Sequence, residues 1–172
     1  EHQVIDYFKG SQIRTLLSSS SIVVKPEVFE SVGNFDETIV SGQDTDLWIR
    51  IGLSYKIAFS RNVCARYIDV SNSLSNSTVD VNRKTRFTKF EEAEKRNPDL
   101  KKILDLNRFS MAILSKQGGD LENYRFYSSR IDKANLNSKQ RFLLKLNGKT
   151  LNWLHKFKVF LKSKKILISV FD

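Results

Sequence analysis

The amino-acid sequence predicts a mixed α/β segment followed by an all-helical C-terminal region. Three observations carry this reading. Up to about residue 76, short apolar runs flanked by Ser, Asn and Pro alternate with short helical patterns. From Val79 onward, apolar residues recur only at helical spacing. Breaks at Gly33, Asn97-Pro98, Gly118-Gly119 and Asn147-Gly148 separate the patterned stretches. The expected division is therefore 1–76, mixed α/β, and 77–172, helical.

Taken in order, Ile5, Tyr7, Phe8, Ile13, Leu16 and Leu17 suit a short helix or a lead-in strand. Ser18 to Ser21 leads into Ile22-Val23-Val24, which reads as a buried strand. Pro26 suits the first turn of a helix, where its missing N–H is not needed. Glu27 to Val32 completes that helix and Gly33 stops it. Asn34 to Glu37 reads as a turn anchored by Phe35. Asp44 and Thr45 are N-cap residue types, and Leu47 and Ile51 stand at i, i+4 spacing in the helix that follows. Lys56 to Phe59 and Val63 to Ile68 read as strands, and Ser71 to Ser77 as a Ser/Asn-rich loop. The helical part is expected as Arg83–Arg96, Asp99–Lys116, Asp120–Ile131, Ser138–Leu146 and Thr150–Lys162.

Composition limits the function classes. With 172 residues, of which 40% are apolar and 28% charged, the chain is long enough to build a core without disulfides. Cys64 has no second cysteine to pair with, and its neighbours Val63 and Ala65 suggest a buried core thiol. The only histidines are His2 and His155, so a Cys/His metal site is excluded by counting. No apolar run approaches the roughly 18 residues that a spanning helix needs. Glu1 to Lys9 does not read as a signal peptide. The chain opens on Glu1 and its one methionine is Met111, so a piece of a longer or processed protein is expected.

Asp44 is the most suggestive carboxylate. It stands in Gly42-Gln43-Asp44-Thr45-Asp46-Leu47-Trp48, shortly after Gly33-Asn34-Phe35-Asp36-Glu37. A sugar hydroxyl is a poor nucleophile near neutral pH until a positioned carboxylate accepts its proton. A helix start holds such a base rigidly, and Trp48 at i+4 offers a sugar an apolar face. A plain structural reading uses the same residues: Asp44 or Thr45 caps the helix, Asp46 complements its dipole, and Trp48 is core.

Three blocks add weight to the chemical reading. Ser19 to Glu37 resembles the serine-rich strand, short helix and G-G-F-D-E turn of family 2 glycosyltransferases of GT-A fold. Gln43-Asp44-Thr45-Asp46-Leu47-Trp48 resembles that family's E-D-x-D-L-W block, and Tyr67 to Ser75 its Y-R-x-H-x-x-S-x-S block. Order and spacing match over roughly residues 15 to 76, under half the chain. The resemblance implies a partial GT-A-like fold and an inverting hexosyltransferase using a nucleotide-sugar donor and a glycan or lipid-linked acceptor, as in polysaccharide biosynthesis. It makes Asp44 the catalytic base, with Gln43, Asp46 and Trp48 on the acceptor side. Gln43 replaces the family's Glu, and Ile68 and Val70 replace its Arg and His. Arg66 is then the candidate substitute toward phosphate, a solvated strand-end charge being its other reading. The family's donor-binding half and its D-x-D metal motif have no counterpart upstream of residue 15. A divalent ion, Mg or Mn, is thus expected in a full-length enzyme and none on this fragment. Asp44-Thr45-Asp46 has the D-x-D letters but precedes a helix, not the end of a buried strand, and is not assigned to metal. Alone, the fragment is expected to be inactive and to self-associate through exposed strand edges.

The charge is uneven. Net charge is +10, and no acidic residue lies between Asp132 and Asp172, a segment with ten Lys and Arg. Leu151, Trp153, Leu154, Phe157, Phe160 and Leu161 share one broad side of a helix, with Asn152, His155, Lys156 and Lys162 largely opposite. Residues 133 to 165 therefore suit an anionic membrane surface or polyanion, or a surface helix packed on its neighbours. No nucleic-acid module signature appears, so no nucleic-acid partner is expected. The expected location is the cytoplasm, at the inner face of the membrane.

Overall fold

His2–Ile5 (β1) and Ile57–Ser60 (β2) pair antiparallel, with His2 opposite Ser60 and Ile5 opposite Ile57. They are the only sheet among the described residues of the computed structural model, which describes 2–13, 15–66, 68, 81 and 84–163. The protein is mixed α/β and mostly helical. The helices are α1 (Tyr7–Gly10), α2 (Pro26–Val32), α3 (Gln43–Ser54), α4 (Glu91–Arg96), α5 (Pro98–Gly118), α6 (Leu121–Ser128), α7 (Ser138–Lys145) and α8 (Gly148–Ser163). Two 3-10 turns, Thr88–Phe90 and Lys133–Asn135, complete the order. The chain forms two compact units, Glu1–Lys101 and Lys102–Asp172. The expected change of pattern at 76–77 lies outside the described residues.

In the first unit α3 is the central element. Leu47, Trp48, Ile49 and Ile51 are all buried, with Tyr7, Phe8, Leu17, Phe87 and Phe90 in the same unit's core. Tyr7 lies against α3 so closely that a Cβ on Gly52 would stand 2.6 Å from the ring, which explains a glycine in a helix interior. Asp6 caps α1 by accepting from the amides of Phe8 and Lys9 at 3.0 and 3.2 Å.

Several expectations need correction here. Ile22-Val23-Val24 is not a buried strand: Val23 is 99% exposed and no described strand lies alongside. A turn closes just before it, Ser21 donating to the Ser18 carbonyl at 2.9 Å, and α2 begins at Pro26. The segment is left with no ladder partner, and apolar content alone does not make a strand. Val63 to Arg66 is likewise irregular and exposed, so Cys64 is a surface thiol that donates to the Asn62 carbonyl at 3.3 Å. Arg83 and the loop Ser71–Ser77 lie outside the described residues, and regular helix begins only at Glu91.

The second unit is helical throughout its described part. Phe109, Ile131 and Leu136 form a buried cluster, with Leu106, Ile113, Leu143 and Leu144 packed on it. Asp105, wholly buried, accepts from Arg108 Nη1, the Asp132 amide and Asn135 Nδ2 at 3.2, 3.1 and 2.8 Å. One carboxylate thereby fixes the α6–α7 connection to α5. Asn137 and Gln140 form a reciprocal capping box at the start of α7. Gly148 opens α8 where a Cβ would meet the Lys116 carbonyl oxygen at 2.3 Å. Asn152 Nδ2 donates to the Gln117 carbonyl at 3.0 Å, pinning α8 beside the end of α5.

Candidate functional site

The site is built around the start of α3. Gly42 precedes the helix with φ 95, in the left-handed region that glycine enters without steric cost. A Cβ there would also lie 3.1 Å from Thr85 Cγ2. The helix therefore starts at Gln43, one residue before the expected caps, and Asp44 falls in its first turn. The exposed Asp44 carboxylate accepts from the Thr45 amide at 2.6 Å, satisfying one of the donors that every helix start leaves over.

Asp46 points the other way, into the unit. Its side chain has no accessible surface. One oxygen accepts from Arg50 Nε at 3.0 Å, the i, i+4 pair of the same helix. The other lies 2.7 Å from Lys89 Nζ. Arg50 carries on to α2: Nη1 donates to the carbonyls of Val32 and Gly33, the latter at 3.0 Å, and Nη2 to Asn34 at 2.8 Å. The Val32 carbonyl is one that the end of α2 leaves unsatisfied, the other two lie just beyond it, and a cation suits the negative end of a helix. Lys89 also lies 3.5 Å from Asp36. Arg50, Asp46, Lys89 and Asp36 thus form a charged frame closed by the turn Gly33–Asp36. Phe35 meets Trp48 edge to face at 6.3 Å across the same junction.

Lys89 is delivered by an unusual backbone. Phe87, just before the turn that carries it, has φ 54, a left-handed conformation that costs a bulky residue energy. Its buried ring packs near Phe90 at 6.3 Å, and the Thr85 amide donates to the Ser41 carbonyl at 3.3 Å.

Outside this frame is an open pocket of about 650 Å³, lined by Ser19, Phe35, Val40, Ser41, Gly42, Gln43 and Asp44. Two of the expected site residues, Gln43 and Asp44, line it. Asp46 and Trp48 do not: both are in the core, Trp48 at 3% exposure, so neither side chain lines this pocket. Arg66 is exposed beyond β2 and is not among the lining residues. Tyr7 has its phenol pushed above the ordinary tyrosine value by burial, opposed by the hydroxyls of Thr15 and Ser11, with the charge of Asp44 adding to the rise.

Sequence reasoning missed Lys89 and the frame it completes. Asp46 and Arg50 stood at salt-bridge spacing and were open to notice. Lys89 is more than forty residues from Asp46, and nothing in its local pattern marks it.

The letters Asp44-Thr45-Asp46 do not fit a divalent cation. Both oxygens of Asp46 are engaged by cations and its side chain is enclosed, while Asp44 is turned outward. Among the described residues no group of three or more His, Cys, Asp or Glu stands together to hold a metal, and no helix is long and apolar enough to cross a membrane. No protein-family profile, curated protein or solved structure matches the chain.

Proposed function

We propose that this chain is the acceptor-side part of a nucleotide-sugar glycosyltransferase of the family 2, GT-A kind, with Asp44 as its general base. The observation that carries the reading is the split fate of the two acids. Asp46 is bound into a frame that joins the F-D-E turn to the helix, and Asp44 is left exposed in the pocket beside it. A structural cap does not need that frame, whereas a base must be held in one place.

In the proposed reaction the acceptor hydroxyl enters the pocket edged by Phe35, Ser19 and Gln43. Asp44 takes its proton as the oxygen bonds to the anomeric carbon of the donor. The bond from that carbon to the diphosphate oxygen breaks on the opposite face, and the sugar is inverted. The donor is held by residues outside this chain, and a divalent ion would act there, on the diphosphate.

The test is Asp44→Asn in the protein that contains this chain, assayed with nucleotide sugars and glycan or lipid-linked acceptors. Turnover is expected to fall by about 10²–10⁴-fold, the usual share of a general base, with unchanged thermal stability. Near-normal kcat overturns the assignment.

A second reading concerns α8. Trp153 is 62% exposed and Phe157 46%, their rings stacked at 5.7 Å, and Val159 and Phe160 are exposed as well. Among the described side chains of this helix, Leu151 alone is fully buried. An apolar stripe with exposed Lys156 and Lys158 beside it is the composition of a helix that lies in an anionic membrane interface. Flotation with anionic vesicles is expected to recover the chain, and Trp153→Ser with Phe157→Ser to abolish recovery. Recovery that is insensitive both to that pair and to salt counts against it.

A further inference from the structure

The four basic residues Arg125, Lys133, Arg141 and Lys145 line one cleft of the second unit, of about 860 Å³. No acidic residue lines it. Among the described residues, none of the four is paired with a carboxylate. From this geometry we infer a binding site for a phosphate-ester anion, best a diphosphate carried on an apolar or aromatic body. It stands apart from the Asp44 reading and does not depend on it.

The cleft has a built floor. The Leu144 carbonyl receives both Lys116 Nζ at 2.8 Å and the Tyr124 hydroxyl at 3.5 Å. Lys116 also lies 4.3 Å from the centre of the Tyr124 ring, which fixes that ring in the wall. The capping box anchors α7, and Gln140 within it is 2% exposed. The supports are thus ordered before any ligand arrives. Phe142 and Leu144 add apolar wall, and Ser138 a hydroxyl.

Charge selects the ligand class. Two arginines present planar forks that match phosphate oxygens, and two lysines add point charges. Four positive charges suit the three to four negative charges of a diphosphate better than a single carboxylate. The volume lies within the range of small-ligand sites, roughly 300–1,000 Å³. A lipid headgroup and a soluble phosphate ester present the same chemistry to such a cleft.

The test titrates the whole chain with inorganic pyrophosphate by calorimetry. Binding is expected to weaken as salt rises. Arg125→Gln with Arg141→Gln is expected to weaken it at least about tenfold, through the loss of two charge-assisted forks. Lys25→Gln with Lys149→Gln removes equal charge outside the cleft lining and is expected to change affinity by less than about twofold. Circular dichroism checks that the helices persist. If the arginine pair unfolds the unit, Lys133→Gln with Lys145→Gln decides by the same comparison. Absence of pyrophosphate binding, or equal weakening by the cleft and control pairs, overturns the site. Vesicles carrying phosphatidic acid separate the sources. In the Trp153→Ser, Phe157→Ser background, pickup that the arginine pair abolishes assigns a headgroup, and pyrophosphate binding without such pickup assigns a soluble ester.

Discussion

Lys89 Nζ lies 2.7 Å from the carboxylate of Asp46, whose side chain is wholly enclosed while that of Lys89 is 44% exposed. The two halves of this pair are therefore unequal. Asp46 also holds Arg50, so its removal leaves two cations facing an enclosed space. Asp46→Ala is expected to cost about 3 kcal/mol, as when one partner of a buried pair is removed. Lys89→Met leaves Asp46 with Arg50, and is expected to cost only about 1 kcal/mol. Urea unfolding followed by Trp48 fluorescence in a Trp153→Phe background checks both. Equal costs would show that the frame does not depend on Asp46.

The frame also marks where the sequence was readable. Pro26 and Gly33 bound α2 as local chemistry requires, and Gly118-Gly119 ends α5. Those signals act within one turn, so pattern alone reveals them. The resemblance to the E-D-x-D-L-W block puts Asp46 on the acceptor side with Asp44, two residues before it. On a helix, residues i and i+2 stand about 200° apart, so Asp44 and Asp46 face different surroundings. The buried Asp46 meets Arg50 and Lys89, and Lys89 follows the left-handed Phe87, a placement that no local pattern encodes. Ile22-Val23-Val24 failed for the opposite reason. Its composition suits a strand, but a strand exists only with a neighbour, and sequence does not name one.

Asp105 is the corresponding anchor of the second unit. Its carboxylate receives Arg108, the Asp132 amide and Asn135 at once. Asp105→Ala is expected to cost about 3–5 kcal/mol, since buried donors and a buried guanidinium lose their acceptor. The Asp132 amide should then exchange with solvent faster relative to amides in the middle of α5. Unchanged protection at Asp132 would show that the carboxylate does not secure this loop.

Acid should weaken the first unit through Asp6. Its hydrogen bond with Lys56, at 2.6 Å, holds the carboxyl below the ordinary value of 3.8, helped by the amides it caps and opposed by burial. A carboxyl depressed in the folded state contributes stability that is present above its unfolded value. That contribution is lost as pH falls through the folded value. Between pH 5 and roughly pH 2, the stability of wild type should therefore fall more steeply than that of Asp6→Asn. Parallel pH profiles for the two proteins would remove Asp6 as a source of acid sensitivity.

Two helical glycines should respond to alanine with opposite sign. Gly118 ends α5 with open space where a Cβ would go and without a left-handed backbone. Gly118→Ala is expected to stabilise the second unit by about 0.5–1 kcal/mol, because the unfolded chain loses freedom and the helix gains a better former. At Gly148 the same methyl would stand 2.3 Å from the Lys116 carbonyl oxygen, part of a backbone that cannot swing aside. The start of α8 must then retreat from α5, stretching the bonds from Gln117 to Leu151 and from Asn152 to Gln117. Gly148→Ala is expected to destabilise by about 1–3 kcal/mol, as overpacking does. Thermal unfolding measures both, and limited proteolysis should cut α8 sooner in the Gly148 variant. A higher Tm for Gly148→Ala would mean that α8 does not approach Lys116 this closely, and its attachment to α5 would then rest on side chains alone.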